Sequence, residues 1–128
     1  MDINKKISNI INLSAQERYD YFIRKIADFE EVWGLYDGDG WAMTMDDGGR
    51  KAMPFWPEKE FAKLCAQNEW ENYKPKAIGL DDFIEKWLVG MYKDNLKAVV
   101  FYTPNNKGLI IYPHKLKDDL EEELEQYE

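Results

Sequence analysis

The stretch VWGLYDGDGWAMTMDDGG, residues 32–49, holds two strand-like runs, each followed by a glycine-rich turn. Val32–Tyr36 is rich in β-branched and aromatic residues. Asp37-Gly38-Asp39-Gly40 follows, and glycines at these places tolerate the positive φ that a tight turn needs. Trp41–Met45 reads as the returning strand. Asp46-Asp47-Gly48-Gly49 is a second turn, and about Lys51–Trp56 a third strand, which completes a meander. Along Val32–Tyr36, Trp33 and Leu35 share one face, expected to be buried, while Tyr36 and Trp41 flank the turn half exposed.

Working outward, helical periods take over on both sides. Ile3, Ile7, Ile10 and Ile11 recur at helical spacing. Ser14 with Glu17 forms a capping box for a helix carrying Tyr19, Phe22, Ile23, Ile26 and Phe29, ending near Glu30. Downstream, Pro57 suits the first turn of a helix whose inner face is Phe61, Leu64 and Cys65, with Trp70 near its end. Pro75 makes Tyr73–Leu80 extended. Asp81 is the expected cap of a helix with Phe83, Ile84, Trp87 and Leu88 inward and with Gly90 and Asn95 as candidate stops. Lys97–Thr103 and Leu109–Tyr112 form a second hairpin across Pro104–Gly108. After Pro113 a last helix turns Leu116, Leu120, Leu124 and Tyr127 inward. The order ααβββαβαββα, with hairpins dominant, predicts an α+β fold: a largely antiparallel sheet of about five to six strands with packed helices.

At 128 residues the chain is expected to form a single domain: an N-terminal helix over 1–13, a core over 14–117 and an acidic helix end over 118–128. Apolar residues at 45% and aromatics at 15% supply a core without staples. One cysteine, Cys65, excludes an internal disulfide and fits a reducing compartment. No signal-peptide apolar run follows Lys5 and Lys6, and the longest apolar runs are too short to span a bilayer. A cytoplasmic protein without membrane contact is expected.

The formal net charge of −8 is unevenly spread. Between Lys25 and Arg50 there is no cation, but seven carboxylates: Asp28, Glu30, Glu31, Asp37, Asp39, Asp46 and Asp47. Residues 118–128 carry another −7, which leaves +6 on the rest. The basic residues come as scattered pairs, so nucleic acid is not an expected partner. An acidic block interleaved with Trp33, Tyr36 and Trp41 points instead to a basic protein partner.

Catalytic and cofactor signatures are weak. His114 is the sole histidine and stands directly before a helix, where a solvated residue is the simpler reading. Cys65 lies on an apolar stripe and reads as core, so its pairing with His114 as nucleophile and base is not expected. Asp37-Gly38-Asp39-Gly40 fails as a calcium loop, because its fifth position is Trp41 and its twelfth Gly48. The glycines sit between strands rather than ahead of a helix, so no phosphate loop is read. No metal and no cofactor are expected, and turn aspartates are too solvated for glycosidase-type work.

ERYDYFIRKIADFEEVWGLYDGDGWAM (residues 17–43), PFWPEKEFAKLCAQNEWENYKPKAIGLDDFIEKWL (54–88), VVFYTPNNKGLIIYP (99–113) and LEEEL (120–124) resemble a family of small bacterial proteins known as domain of unknown function 2750. The resemblance runs from about Ser14 to the C-terminus. It is most specific in the Trp33–Trp41 hairpin, the Phe55-Trp56-Pro57 junction and Lys74-Pro75-Lys76. It implies a bacterial, intracellular α+β protein and carries no catalytic residues onto this chain. The expected function is a non-enzymatic protein-binding module, in its sharpest form an immunity- or antitoxin-like protein. Its expected contacts are Tyr36, Asp37, Asp39, Trp41, Asp46 and Asp47. The alternatives are a structural or oligomeric accessory protein, monomer or homodimer with Ile3, Ile7 and Ile11 as a seam, and a small carboxylate- or cysteine-dependent enzyme.

Overall fold

A computed structural model describes residues 3–106 and 108–127. The expected inward placement of Tyr127 and the expected place of Ile3 in a seam concern side chains outside the described set, and Met1, Asp2, Lys107 and Glu128 also lie outside it. The helices and strands follow the expected order. α1 spans Ile3–Ile11 and α2 spans Ala15–Phe29. The capping box of α2 is complete: the Glu17 N–H donates to Ser14 Oγ, and the Ser14 N–H donates to Glu17 Oε1, both at 3.1 Å. Glu30 ends the helix in the left-handed region at φ 59°, its N–H bonded to the Ile26 carbonyl. Phe22 and Ile26 on its inner face are fully buried, each contributing about 1.5–3 kcal/mol. Ile7, Ile10 and Ile11 are half-buried against the core. Lys6 Nζ holds α1 in place, 2.7 Å from Glu58 Oε1, and the Tyr21 hydroxyl donates to Glu58 Oε2 at 2.6 Å.

The fold is α+β, but the strands form two sheets where one was expected. β1 (Glu31–Tyr36) pairs antiparallel with β4 (Lys74–Gly79) along its whole length. The second sheet has the order β2 (Thr44–Met45), β3 (Lys51–Phe55), β5 (Lys97–Val100), β6 (Leu109–Ile111). Three of the four ladders are antiparallel; β3 and β5 run parallel. The expected β1–β2 hairpin starts and is then abandoned. Trp41 bridges Tyr36, and the Ala42 N–H reaches the Leu35 carbonyl at 2.8 Å. Beyond that point Trp56 holds the same edge of β1, exchanging two hydrogen bonds with Trp33 at 2.8 and 2.9 Å. This exchange ties the two sheets together. Pro54 is tolerated in β3 because β2 pairs only Lys51 and Ala52, so no ladder bond is lost there.

The chain between β3 and β5 crosses over through α3 (Lys59–Leu64), β4 and one long helical run. That run consists of α4 (Leu80–Asp82), a π-helical turn (Phe83–Trp87) and α5 (Leu88–Lys93). It starts after Gly79 with no side-chain cap, so Asp81 lies inside the first turn instead of capping it. The helix also passes through Gly90 and ends at Lys93, with Asn95 left-handed at φ 58°. The π turn sets Phe83 4.9 Å and Trp87 6.1 Å from Phe55, ring centre to ring centre. Trp70 stands in a separate short turn and is buried edge-on to Trp56. Phe101 takes φ 64°, an unusual region for an aromatic residue. Its N–H still reaches the Phe55 carbonyl, and its ring packs 4.8 Å from Phe61. α6 (Pro113–Leu124) closes the core with Leu116 and Leu120 fully buried and Leu124 half-buried.

Candidate functional site

β1 is six residues long, roughly 17 Å end to end. It divides the acidic block of the sequence into two places with different surroundings. At the Tyr36 end, Asp37 Oδ1 accepts the N–H groups of Asp39 at 2.9 Å and Gly40 at 2.8 Å. These backbone donors hold the Asp37 carboxyl below its usual range. Gly38 takes φ 98°, which explains glycine at this corner. Asp37 and Asp39 are exposed; Tyr36 and Trp41 are half-buried, their rings 5.0 Å apart. The pairing of β1 with β4 sets Lys76 opposite Gly34 and Lys74 opposite Tyr36. Lys76 Nζ stands 4.2 Å from the Tyr36 ring centre and 5.7 Å from that of Trp41. A shallow basin of about 370 Å³ lies here, lined by Tyr36, Asp37, Asn72, Lys74 and Lys76 among others. The expected acidic, aromatic contact is therefore a mixed-charge one, with a lysine already over its rings.

Asp46 corrects the expectation more sharply. Its side chain is buried and satisfied from within. Oδ1 accepts the Arg50 and Gly48 N–H groups at 2.9 Å each, and Oδ2 lies 3.2 Å from Lys97 Nζ. It pins the β2–β3 turn and offers no charge to a partner. Its carboxyl is held low, first by the Arg50 N–H and then, against desolvation, by Lys97 and the Gly48 N–H. Asp47 is exposed on the same turn.

The Glu31 end of β1 gathers the acid. Glu31 pairs with Gly79, and the Leu80 N–H donates to the Glu30 carbonyl at 3.0 Å, which brings the start of α4 alongside. Asp28, Glu30, Glu31, Asp81 and Asp82 are all exposed there, Asp82 pairing with Lys86 at 3.4 Å. Beside them Phe29 is 51% exposed, with Lys25 Nζ 5.2 Å from its ring. In sequence Asp81 reads only as a helix cap and Asp82 has no part in the acidic block, because they lie some fifty positions from Glu30 and only the β1–β4 pairing brings the start of α4 beside it.

The acidic end of α6 faces the N-terminal half of α2 across a groove of about 410 Å³. Asp20, Asp119, Glu122 and Glu123 line it, with Arg24 and Lys115 between them. Part of this acid is internally engaged. Asp119 accepts from the Tyr19 hydroxyl at 2.5 Å and from Lys115 at 2.8 Å.

Cys65 and His114 line separate basins and do not meet. The Cys65 thiol is buried and donates to the Tyr102 carbonyl at 3.3 Å; burial pushes it up to about 12. Among the described residues no group of three His, Cys, Asp or Glu side chains is placed to hold a metal ion, and no helix is long and apolar enough to cross a membrane.

The family described as "Protein of unknown function (DUF2750)" matches residues 19–120. The chain belongs to this family. The acidic corner, the Asp37 turn and both Cys65 and His114 lie inside the matched span of this DUF2750 protein, whereas α1 and the end of α6 lie outside it. No curated protein and no solved structure matches the chain.

Proposed function

We propose that this DUF2750 protein is a non-enzymatic binding module for a basic protein partner. The observation that carries the reading is exposed Phe29, flanked along the chain by exposed Asp28, Glu30 and Glu31, where the Leu80 N–H bonded to the Glu30 carbonyl brings up the start of α4 with exposed Asp81. An exposed aromatic ring supplies apolar contact area, and the surrounding carboxylates steer a cationic partner and fix its orientation. Exposed Asp37 and Asp39, one strand length away, extend the negative surface past the lysines of β4. The sharpest form of the proposal is an immunity- or antitoxin-like protein that covers the basic active site of a nucleic-acid-cleaving toxin.

The test compares the wild type with Glu30→Lys/Glu31→Lys and with Phe29→Ala as baits in a lysate of the source cells. A basic protein retained at low salt by the wild type, then purified and titrated, should associate at least tenfold more slowly with the charge-reversed variant. Phe29→Ala should mainly speed dissociation. Association rates equal for the wild type and the charge-reversed variant at low salt would refute this surface.

A further inference from the structure

The opposite sign of charge collects at the corner between α5 and α6. Two adjoining basins of about 380 and 390 Å³ share Tyr92, Pro113 and His114 as a common wall. Arg50, Lys93 and Lys97 line one, and Lys117 lines the other. Neither lining includes a carboxylate, on a chain whose net charge is −8. Of these cations Lys97 pairs with an acid, Asp46, which lies buried behind it. Five separate segments deliver the cations and rings: the β2–β3 turn, the end of α5, the start of β5, the end of β6 and the start of α6.

The rings are unusual too. Tyr92 is 61% and Tyr112 57% exposed, whereas most of the other described aromatic residues are buried or half-buried. His114 sits between them, stacked 5.7 Å from Tyr112 and edge-on 5.8 Å from Tyr92. Lys97 Nζ stands 4.9 Å from the Tyr112 ring centre, so Asp46 fixes a cation beside an exposed aromatic face. No side chain caps the N-terminus of α6, where Pro113 and His114 line both basins, so the positive end of the helix adds to the field.

We propose that these paired basins bind a mononucleotide: the exposed rings stack on its base, and Arg50, Lys93 and Lys97 meet its phosphate. Each basin has the volume of a small-ligand site. An acidic peptide would use the same cations but leave the ring cluster without a role, and inorganic phosphate alone would do the same. Stacking on exposed aromatic side chains is sequence-tolerant, so the site discriminates by phosphate and ring rather than by base identity. The inference is independent of the acidic corner.

The test is calorimetric titration of the full chain at low salt with each of the four ribonucleoside 5′-monophosphates. Parallel arms contain adenosine, inorganic phosphate, a polyglutamate peptide and a 5′-phosphorylated oligonucleotide. Saturable mononucleotide binding is expected, with adenosine and phosphate each at least tenfold weaker. Tyr92→Ala should weaken it about tenfold, and Arg50→Ala/Lys93→Ala should weaken it further and flatten its salt dependence. Those three side chains are exposed, so melting temperatures should hold. Backbone amide shifts at His114, Tyr112 and Lys97 should locate the ligand. Four results would overturn the proposal. One is no saturation at millimolar nucleotide, and another is affinity unchanged in Tyr92→Ala. The others are phosphate binding as tightly as nucleotide, and the peptide or oligonucleotide binding where free nucleotides do not.

Discussion

Gly34→Ala tests why a glycine interrupts β1. A Cβ built at Gly34 would stand 2.9 Å from both Cε3 and Cζ3 of Trp41. Carbon atoms in contact prefer about 3.5–4.0 Å, so the ring must retreat by roughly 0.6–1.1 Å. It cannot retreat freely, because it is packed edge-on against Trp87 at 4.8 Å and tilted against Tyr36 at 5.0 Å. Overpacking of this kind costs about 1–3 kcal/mol. Replacing glycine inside a strand returns about 0.5–1 kcal/mol of chain entropy. The net expectation is a loss of about 1 kcal/mol, in a range of about 0–2.5 kcal/mol, read as a lower urea midpoint followed by far-ultraviolet circular dichroism. The decisive measurement is the double-mutant cycle. In a Trp41→Ala background the obstacle is gone, so Gly34→Ala should become stabilising by about 0.5–1 kcal/mol. An equal loss in both backgrounds would rule out the Trp41 ring as the obstacle. Gly34 would then be needed for its backbone, not for the room it gives Trp41.

Other perturbations probe different parts of the molecule. Gly108→Ala should destabilise more than Gly34→Ala, because its Cβ would overlap the Val100 carbonyl oxygen, which is backbone rather than a movable ring; equal urea midpoints for the two variants would contradict this. Cys65, with its thiol pushed to about 12, should label with iodoacetamide at pH 8 roughly a thousandfold more slowly in the native protein than in urea, where an ordinary thiol titrates near 8.5; comparable rates would show it to be open. Glu58→Ala removes the acceptor of Lys6 and Tyr21 and should cost about 2–3 kcal/mol by urea denaturation, with α1 amides exchanging faster. Asp46 has a folded carboxyl held below its unfolded value of 3.8. Its contribution to stability is therefore present above that value and is lost as pH falls through the lower, folded one. Asp46→Asn should lower the melting temperature at pH 7, and the difference should shrink as pH falls below 3.8; a constant offset on acidification would remove the carboxylate from the account.

Local chemistry made much of the fold legible. The Ser14–Glu17 box, the Glu30 stop, the break at Pro75 and the stripe through Leu116 and Leu120 each follow from neighbours within a turn or two, and all appear in the structure. Strand pairing was less legible because it is a competition between distant segments. Val32–Tyr36 reads as half of a hairpin until Trp56, twenty positions beyond Tyr36, takes the same edge at Trp33. The parallel β3–β5 ladder has no turn to announce it, although the fully buried run Ala98–Val100 is the continuous apolar pattern of a strand covered on both faces. The expected contact surface failed at Asp46 for a related reason. An Asp-Asp-Gly-Gly turn looks solvated, and only the return of Lys97 beside it makes its first aspartate an interior anchor.

The charge pattern of the chain also changes meaning on folding. In sequence the acids form two blocks and the bases are scattered. In the structure one helical run, Leu80 to Lys93, separates a carboxylate corner from a cationic basin by about 20 Å at 1.5 Å per residue. Asp81 and Asp82 stand at its start and Lys93 at its end, the arrangement that the helix dipole favours. The separation exceeds the screening length of about 8 Å at physiological salt. Each field therefore acts on its own ligand, and the two should not couple through the solvent. Glu30→Lys/Glu31→Lys should leave mononucleotide affinity within about twofold, and saturating nucleotide should leave association with a basic partner unchanged. A larger change in either direction would mean that the helical run moves as a unit between the two sites. The π turn at Phe83–Trp87, packed on Phe55 and Trp41, would be the place to look for that movement.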